Sequence, residues 1–160
     1  MNEQRLSLHD LFYNSGKTLA TAESCTGGGL SSFIIATSGA SDYFKGGIVS
    51  YSNDVKINVL GVSPEIIKLY TPVSEDVAIQ MAKGALNLLK TDYAVSVTGI
   101  AGPTGGTKDI PVGTIWICCC DKNRVITLKL SKDKGRKKNI ENCIEEAIQL
   151  LINFANTKKT

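Results

Sequence analysis

The sequence contains a single histidine, His9, and few aromatic residues, which make up 6% of its 160 positions. His9 lies in a polar N-terminal segment, and nothing around it indicates a catalytic site, so we interpret it as a surface residue. A Ser-His-Asp or Cys-His arrangement is therefore not expected. One histidine leaves too few ligands for a typical zinc site, and the five cysteines fit no CxxC spacing. We expect neither a metal nor a cofactor.

Long apolar runs are also missing. No 18-residue apolar stretch is present, and the first ten residues lack the apolar middle of a signal peptide, so we expect a cytoplasmic protein that does not enter a membrane. A net charge of +3 is too small to indicate nucleic-acid binding, although it suits a small anionic ligand. The consecutive cysteines Cys118 to Cys120 would point to alternate faces of a strand, which favours buried thiols over disulfides.

Helix-like and strand-like patterns alternate along the chain, which predicts one α/β domain over residues 1–160. Ser63 and Ser74 are each followed by a helix-start pattern and are predicted N-caps. The predicted helices are 3–15, 26–36, 54–60, one from 63, one from 74, and 137–154. The predicted strands are 18–22, 46–51, 92–97, 112–120 and 124–130, with a hairpin turn at 121–123.

The segment TAESCTGGG, residues 21–29, places a hydroxyl and a thiol where a predicted strand gives way to a helix. In α/β folds ligands collect at the carboxyl ends of strands, and the unpaired N–H groups of a first helical turn accept anions. Ser24 is therefore a candidate nucleophile, while Ser24 or Thr26 could equally be a helix cap. Cys25 is the weaker nucleophile candidate because it has no histidine partner. The glycines would let a ligand approach the backbone.

The segment YSNDVK, residues 51–56, follows another predicted strand and brings a phenol, an amide and an amine together. A lysine removed from water loses its proton more easily and can then act as a general base. Lys56 is either such a base or a solvated surface lysine. The glycine-rich connection from Gly99 to Pro111 does not fit a nucleotide-triphosphate loop, because Lys108 follows Thr107 and the segment leads into a strand. Its backbone N–H groups could form an anion-binding nest.

Taken together, the blocks TAESCTGG, GGIVSYSNDVK, AVSVTGIAGPTGG and PVGTIW resemble the CinA C-terminal domain family in order and spacing. That family includes stand-alone nicotinamide mononucleotide (NMN) deamidases. The resemblance runs from about Thr18 to Trp116 and continues more weakly through the last helix. It implies a three-layer α/β/α sandwich with a mixed, mostly parallel sheet of about five strands.

The resemblance also implies hydrolysis of NMN to nicotinate mononucleotide and ammonia, in pyridine-nucleotide recycling, by a Ser/Lys dyad. Ser24 matches the serine and Lys56 the lysine of this dyad, with Tyr51 holding the lysine or relaying a proton. Ser41 is the second candidate for the nucleophile or a substrate contact. Backbone N–H groups from Thr26 to Gly28 are oxyanion-hole candidates. The expected substrate-binding residues are Glu23, Thr26, Gly27, Gly28, Ser41, Asn53, Thr98, Gly99, Gly102, Gly105 and Lys138.

Two departures from the family pattern concern positive charge. Ile110 stands where relatives commonly have lysine, and Lys138 aligns with a usual arginine, whose bidentate contact to phosphate a lysine cannot reproduce. Two alternatives therefore stand beside the deamidase: a non-catalytic nucleotide- or partner-binding domain, and an amidase for another small amide. A homodimer is consistent with the resemblance alone. The large N-terminal domain of many relatives is absent from this sequence, so its activities are not transferred.

Overall fold

The computed structural model describes residues 2–157, which form six α-helices, five β-strands and one 3-10 turn. The helices are α1 (Asn2–Phe12), α2 (Gly29–Ile35), α3 (Asn53–Asn58), α4 (Pro64–Tyr70), α5 (Glu75–Leu89) and α6 (Arg136–Asn156). The strands are β1 (Leu19–Glu23), β2 (Phe44–Val49), β3 (Tyr93–Gly99), β4 (Ile115–Asp121) and β5 (Val125–Leu130). The 3-10 turn (Ala40–Asp42) precedes β2.

The five strands form one mixed sheet in the order β2-β1-β3-β4-β5. Strand β1 is parallel to both β2 and β3, whereas β4 is antiparallel to β3 and to β5. Four of the five strands therefore point the same way and only β4 is reversed. The expected mostly parallel mixed sheet is confirmed.

Helices cover both faces of this sheet. Helices α1, α2 and α6 pack on one face around a core that includes Phe12, Leu30 and Ile148. Helix α5, with α4 packed against it, covers the other face around Val77 and Met81. The three-layer α/β/α arrangement is thus confirmed. Within the described residues, no helix is both long and apolar enough to span a membrane.

The predicted helix caps, the hairpin turn and the buried cysteine run are all found in the structure. The Ser63 and Ser74 hydroxyls each accept a backbone N–H of the first turn of α4 and α5, as expected of N-caps. Asp121 accepts two backbone N–H groups across the turn between β4 and β5, at 2.8 Å each. The Cys118 to Cys120 run lies fully buried in β4 as free thiols, also as expected.

Candidate active site

The parallel strands β1, β2 and β3 end at one edge of the sheet, and β1 and β2 are each followed directly by a serine. Strand register pairs Glu23 of β1 with Val49 of β2 and with Val97 of β3. Ser24 continues β1 by donating its N–H to the Val97 carbonyl at 3.0 Å. Ser50 continues β2 in the same way, donating to the Glu23 carbonyl at 2.7 Å. The β1 and β2 ends therefore deliver two serines to a single place.

Lys56 reaches this edge from helix α3. Its Nζ donates to Ser24 Oγ at 3.0 Å and to the Ser50 carbonyl at 2.7 Å. The Ser52 hydroxyl caps α3 by accepting the Val55 N–H, which sets the helix start and hence the direction of Lys56. Lys56 is 2% exposed and Ser24 8% exposed. The dyad expected from the family resemblance is therefore in direct hydrogen-bond contact.

Burial lowers the pKa of the Lys56 ammonium, because a charge costs free energy away from water. Negative charge on the neighbouring Cys25 acts in the opposite direction and raises this pKa. Lys56 has no salt bridge with any described residue, and its two hydrogen-bond partners are neutral oxygens. The surroundings thus shift the protonation equilibrium of Lys56 towards the neutral amine, which is the form that can accept a proton from Ser24.

The turn that carries Ser24 is held by the carboxylate of Glu23, which is fully buried. Glu23 accepts hydroxyl hydrogen bonds from Thr26 and Ser31, both at 2.6 Å. It also accepts the backbone N–H groups of Gly28, Leu30 and Ser31 at 3.1, 2.9 and 2.8 Å. The anion at the N-terminus of α2 is therefore part of the protein, and the expectation that Glu23 contacts substrate is corrected to a role in shaping the turn.

Three further expectations for this turn need correction. The N-cap of α2 is Gly28, at φ 99°, and not Thr26, whose hydroxyl is bound to Glu23. The Gly27 N–H donates to the Ser24 carbonyl at 3.1 Å and the Gly28 N–H to Glu23. Gly27 and Gly28 are thus unavailable as oxyanion donors, and Thr26 keeps the only N–H of that set without an acceptor among residues 2–157.

Replacing Glu23 with glutamine is expected to destabilise the fold by about 3 kcal/mol, because an amide N–H₂ would face the buried donors that the carboxylate now satisfies. The melting temperature should fall by about 6 to 12 °C. The matched control is Glu141→Gln, which removes an exposed carboxylate 3.9 Å from Lys137. Equal unfolding free energies for the two variants in urea titrations would contradict the role assigned to Glu23.

A cleft of about 310 Å³ opens above Ser24 and Lys56. Eight of the fourteen residues expected in the site line it: Ser24, Tyr51, Asn53, Lys56, Thr98, Gly99, Gly102 and Gly105. Six do not: Glu23, Thr26, Gly27, Gly28, Ser41 and Lys138. Seven other residues also line the cleft. Two of them carry reactive or charged side chains: Cys25, which the sequence analysis weighed as a nucleophile, and Arg136, which it did not single out.

Tyr51 lies on the rim of the cleft with its side chain 65% exposed. Its phenol makes no hydrogen bond with Lys56, which is held instead by the Ser50 carbonyl. The expectation that Tyr51 holds the lysine is therefore corrected. Thr98 is buried at the base of the cleft, and its hydroxyl donates to the Pro72 carbonyl at 2.8 Å.

The glycine-rich connection forms another wall of the cleft. Gly102 and Gly105 adopt positive φ values of 83° and 90°, which strongly favour glycine. The N–H groups of Gly102, Thr104, Gly105 and Gly106 have no acceptor among the described residues. Arg136, the first residue of α6, donates from Nη1 to the Gly102 carbonyl at 2.7 Å and lines the cleft. The site therefore combines open backbone donors with one guanidinium, which suits an anionic ligand.

The structure changes the interpretation of the two positions, 110 and 138, at which relatives commonly carry a lysine and an arginine. Neither Ile110 nor Lys138 lines the cleft, and Lys138 is exposed on α6. The cation expected at Lys138 is supplied by Arg136, two residues earlier. A sequence signal was available, because Gly135 marks the helix start and places Arg136 in its first turn.

Ser41, the second nucleophile candidate, lies far from Lys56 in this chain. It belongs to the exposed 3-10 turn that precedes β2, whereas Lys56 and Ser24 lie beyond the carboxyl ends of β2 and β1. The six residues of β2 separate the two places by roughly 20 Å. The geometry therefore places Ser24 at the lysine and excludes Ser41 of the same chain. The described residues also contain no group of His, Cys, Asp and Glu side chains able to hold a metal ion.

The comparison with known families agrees with this geometry. The family model of the CinA C-terminal domain matches residues 2–155. The chain belongs to the CinA family. A CinA-like protein from Shewanella pealeana is 49% identical over 118 residues, which is 74% of this chain but 28% of the relative. One from Thermosipho melanesiensis is 54% identical over 103 residues, 64% of this chain and 26% of the relative. The chain thus spans about a quarter to a third of such relatives.

Solved structures of CinA proteins match the fold over nearly its full length. The competence/damage inducible protein CihA from Agrobacterium tumefaciens superposes with a TM-score of 0.92 at 35% identity, covering 98% of this chain and 94% of that one. A CinA superfamily protein from Escherichia coli gives a TM-score of 0.89 at 30% identity, covering 94% and 88%. The CinA fold is therefore shared along the chain from α1 to α6.

Proposed function

We propose that this CinA domain is an amidohydrolase that converts NMN to nicotinate mononucleotide and ammonia. The observation that carries the proposal is the 3.0 Å contact between Lys56 Nζ and Ser24 Oγ in a buried, salt-bridge-free setting. A buried lysine with a lowered pKa beside a serine at a strand end is a nucleophile–base pair. The family resemblance supplies the substrate.

In the first half-reaction, neutral Lys56 accepts the hydroxyl proton as Ser24 Oγ bonds to the carboxamide carbon. While one N–H of the neutral amine stays on the Ser50 carbonyl, rotation about the Cε–Nζ bond lets the nitrogen lone pair face Ser24 Oγ, 3.0 Å away. The C–N bond then breaks, and Lys56 returns the proton to the departing nitrogen, which leaves as ammonia. The product of this half-reaction is an ester of Ser24 with the nicotinate group.

In the second half-reaction, a water molecule attacks the ester carbon while Lys56 accepts a proton from that water. The bond to Ser24 Oγ breaks and the proton returns to that oxygen, which regenerates the dyad. The N–H of Cys25, which lines the cleft and donates to no other described residue, would be the donor on this turn for the negative oxygen of each tetrahedral intermediate. Such a donor contributes about 3 to 4 kcal/mol in comparable sites.

The nucleotide part of NMN fits the remaining features of the cleft. The phosphate would accept hydrogen bonds from the open backbone N–H groups of Gly102, Thr104, Gly105 and Gly106. It would also accept hydrogen bonds from the guanidinium N–H groups of Arg136 that do not bind the Gly102 carbonyl. Tyr51, exposed on the rim, would stack on the cationic pyridinium ring, since aromatic faces attract cations. Asn53 on the same rim would contact the ribose hydroxyls or the amide.

Replacing Arg136 with alanine is expected to raise KM for NMN by about 10- to 100-fold with a smaller effect on kcat, because it removes charge-assisted hydrogen bonds to a remote phosphate. The matched control is Lys138→Ala, which removes an exposed positive charge two residues away that does not line the cleft. Steady-state ammonia assays measure both constants. An unchanged KM in Arg136→Ala would contradict the placement of the NMN phosphate beside Arg136.

The proposal is tested by incubating the purified chain with NMN, nicotinamide riboside and nicotinamide. We expect equimolar ammonia and nicotinate mononucleotide from NMN, with much slower turnover of the two substrates that lack the phosphate. Binding of NMN by calorimetry without any ammonia would favour a non-catalytic nucleotide-binding domain. Faster turnover of an unrelated small amide would favour a different amidase.

A further inference from the structure

Two thiols meet beside the candidate nucleophile, and the proposed hydrolysis uses neither. Cys25 follows Ser24 in the turn and lines the cleft, with 8% of its surface exposed. Cys143 lies on α6, fully buried behind it in the same apolar cluster. The turn that follows Cys25 packs directly on α6 beside Cys143, since a Cβ added at Gly29 would lie 3.0 Å from Ile144 Cδ1, and both cysteines are free. The cleft therefore gives a small solute access to one member of a thiol pair.

The two thiols differ in acidity. The hydrogen bond from Cys143 lowers the pKa of Cys25, and the nearby Lys56 charge adds to this, against the opposing effects of burial and Glu23. The same hydrogen bond, together with burial, raises the pKa of Cys143. Cys25 is thus the thiol that ionises first, and thiolates are the form that reacts with oxidants.

The other three cysteines lack these features. Cys118, Cys119 and Cys120 are fully buried in β4, and none of them lines the cleft. Burial raises the pKa of all three, that of Cys120 to about 11. They serve as internal controls, since the same chain holds both kinds of thiol.

We propose that Cys25 and Cys143 form a reversible, peroxide-sensitive disulfide at the active site. The Cys25 thiolate attacks one oxygen of hydrogen peroxide, the O–O bond breaks, and the released hydroxide takes a proton to become water. The resulting sulfenic acid is attacked by Cys143 sulfur, which loses its proton as the S–O bond breaks and a second water leaves. Two thiols and one peroxide thus give one disulfide and two waters, and a dithiol reductant reverses the reaction.

Formation of this bond would interrupt hydrolysis. Closing the pair to a disulfide draws Cys25 towards α6, and Ser24 is its direct neighbour in the turn. On the other side of Cys25 the turn is held, because the Gly27 and Gly28 N–H groups are bound to the Ser24 carbonyl and to Glu23, so the movement would fall on residues 24 and 25. The displacement would pull Ser24 Oγ away from Lys56 Nζ, so the oxidised chain is expected to be inactive. This consequence, and the protection by NMN expected below, rest on the proposed function.

The test treats the purified chain with hydrogen peroxide, blocks the remaining thiols with an alkylating agent, and maps the peptides by mass spectrometry. We expect a linked pair of peptides containing Cys25 and Cys143, which disappears after treatment with dithiothreitol. NMN should slow its formation by filling the cleft. In parallel, ammonia release should fall in step with the linked fraction and recover on reduction.

Variants distinguish a specific disulfide between Cys25 and Cys143 from unspecific oxidation of the cysteines. Cys143→Ala should leave Cys25 to advance to sulfinic acid, which dithiothreitol does not reverse, whereas Cys118→Ala should behave as wild type. Sulfinic acid on Cys25 of the wild-type chain, with no linked peptide, would overturn the proposal. A linked peptide in a chain that releases no ammonia even when reduced would uphold the disulfide and refute the proposed hydrolysis.

Discussion

Replacing Lys56 with methionine is expected to lower kcat/KM for NMN by about 10⁴-fold, because the variant removes the group that both accepts and returns the proton. Methionine has a similar length and no charge, so it suits a side chain that is 2% exposed. Ammonia release under subsaturating NMN measures the effect.

The matched control for this substitution is Lys68→Met, which changes an exposed lysine of α4 outside the cleft. It should retain wild-type kinetics. Urea unfolding of both variants verifies that they are folded under assay conditions. A Lys56→Met variant that stays folded and keeps more than about a tenth of the wild-type rate would refute the lysine as general base.

Replacing Ser24 with alanine is expected to reduce turnover by about 10⁴-fold or more, since no covalent intermediate can then form. Alanine deletes only the oxygen that Lys56 contacts at 3.0 Å and leaves the Ser24 N–H on β3 in place. The loss should therefore appear in kcat, while KM changes little.

The matched control is Ser41→Ala, because Ser41 was the other candidate from the sequence and lies before β2, at the opposite end of that strand. We expect wild-type turnover in this variant. Loss of activity in Ser41→Ala with retention in Ser24→Ala would transfer the nucleophile to Ser41. Such a result would require an approach to Lys56 that a single chain does not provide.

Much of the fold follows from local sequence patterns. Strand-sized apolar segments alternate with capped helices, and parallel pairing of β1 with β2 and β3 then brings Ser24 and Ser50 to one edge. The same reasoning separates Ser41 from Lys56, because one precedes β2 and the other follows it. The order of the elements already implies this separation, although the sequence alone left Ser41 as a second candidate.

The contacts that side chains make within the site could not be predicted from the sequence as well as the fold could. The buried carboxylate of Glu23 stands in a segment typical of an anion-binding turn, and only the fold shows that this carboxylate is itself the anion. Cys25 and Cys143 belong to one buried cluster although they lie more than a hundred positions apart, and no local pattern encodes this proximity. Gly135 marks the start of α6 in the sequence, but only the fold shows that Arg136, and not its basic neighbours, lines the cleft.

The dependence of kcat on pH tests the central claim that a buried, neutral Lys56 activates Ser24. Because the amine must be unprotonated, kcat should rise with pH through the pKa of Lys56 and then level off, with a midpoint below the ordinary lysine value of about 10.4. In Cys25→Ala the rise should persist and move to lower pH, because the charge that raises the pKa of Lys56 is gone. A kcat that stays constant from about pH 5 to about pH 10, or one whose rise is lost in Cys25→Ala, would contradict the account.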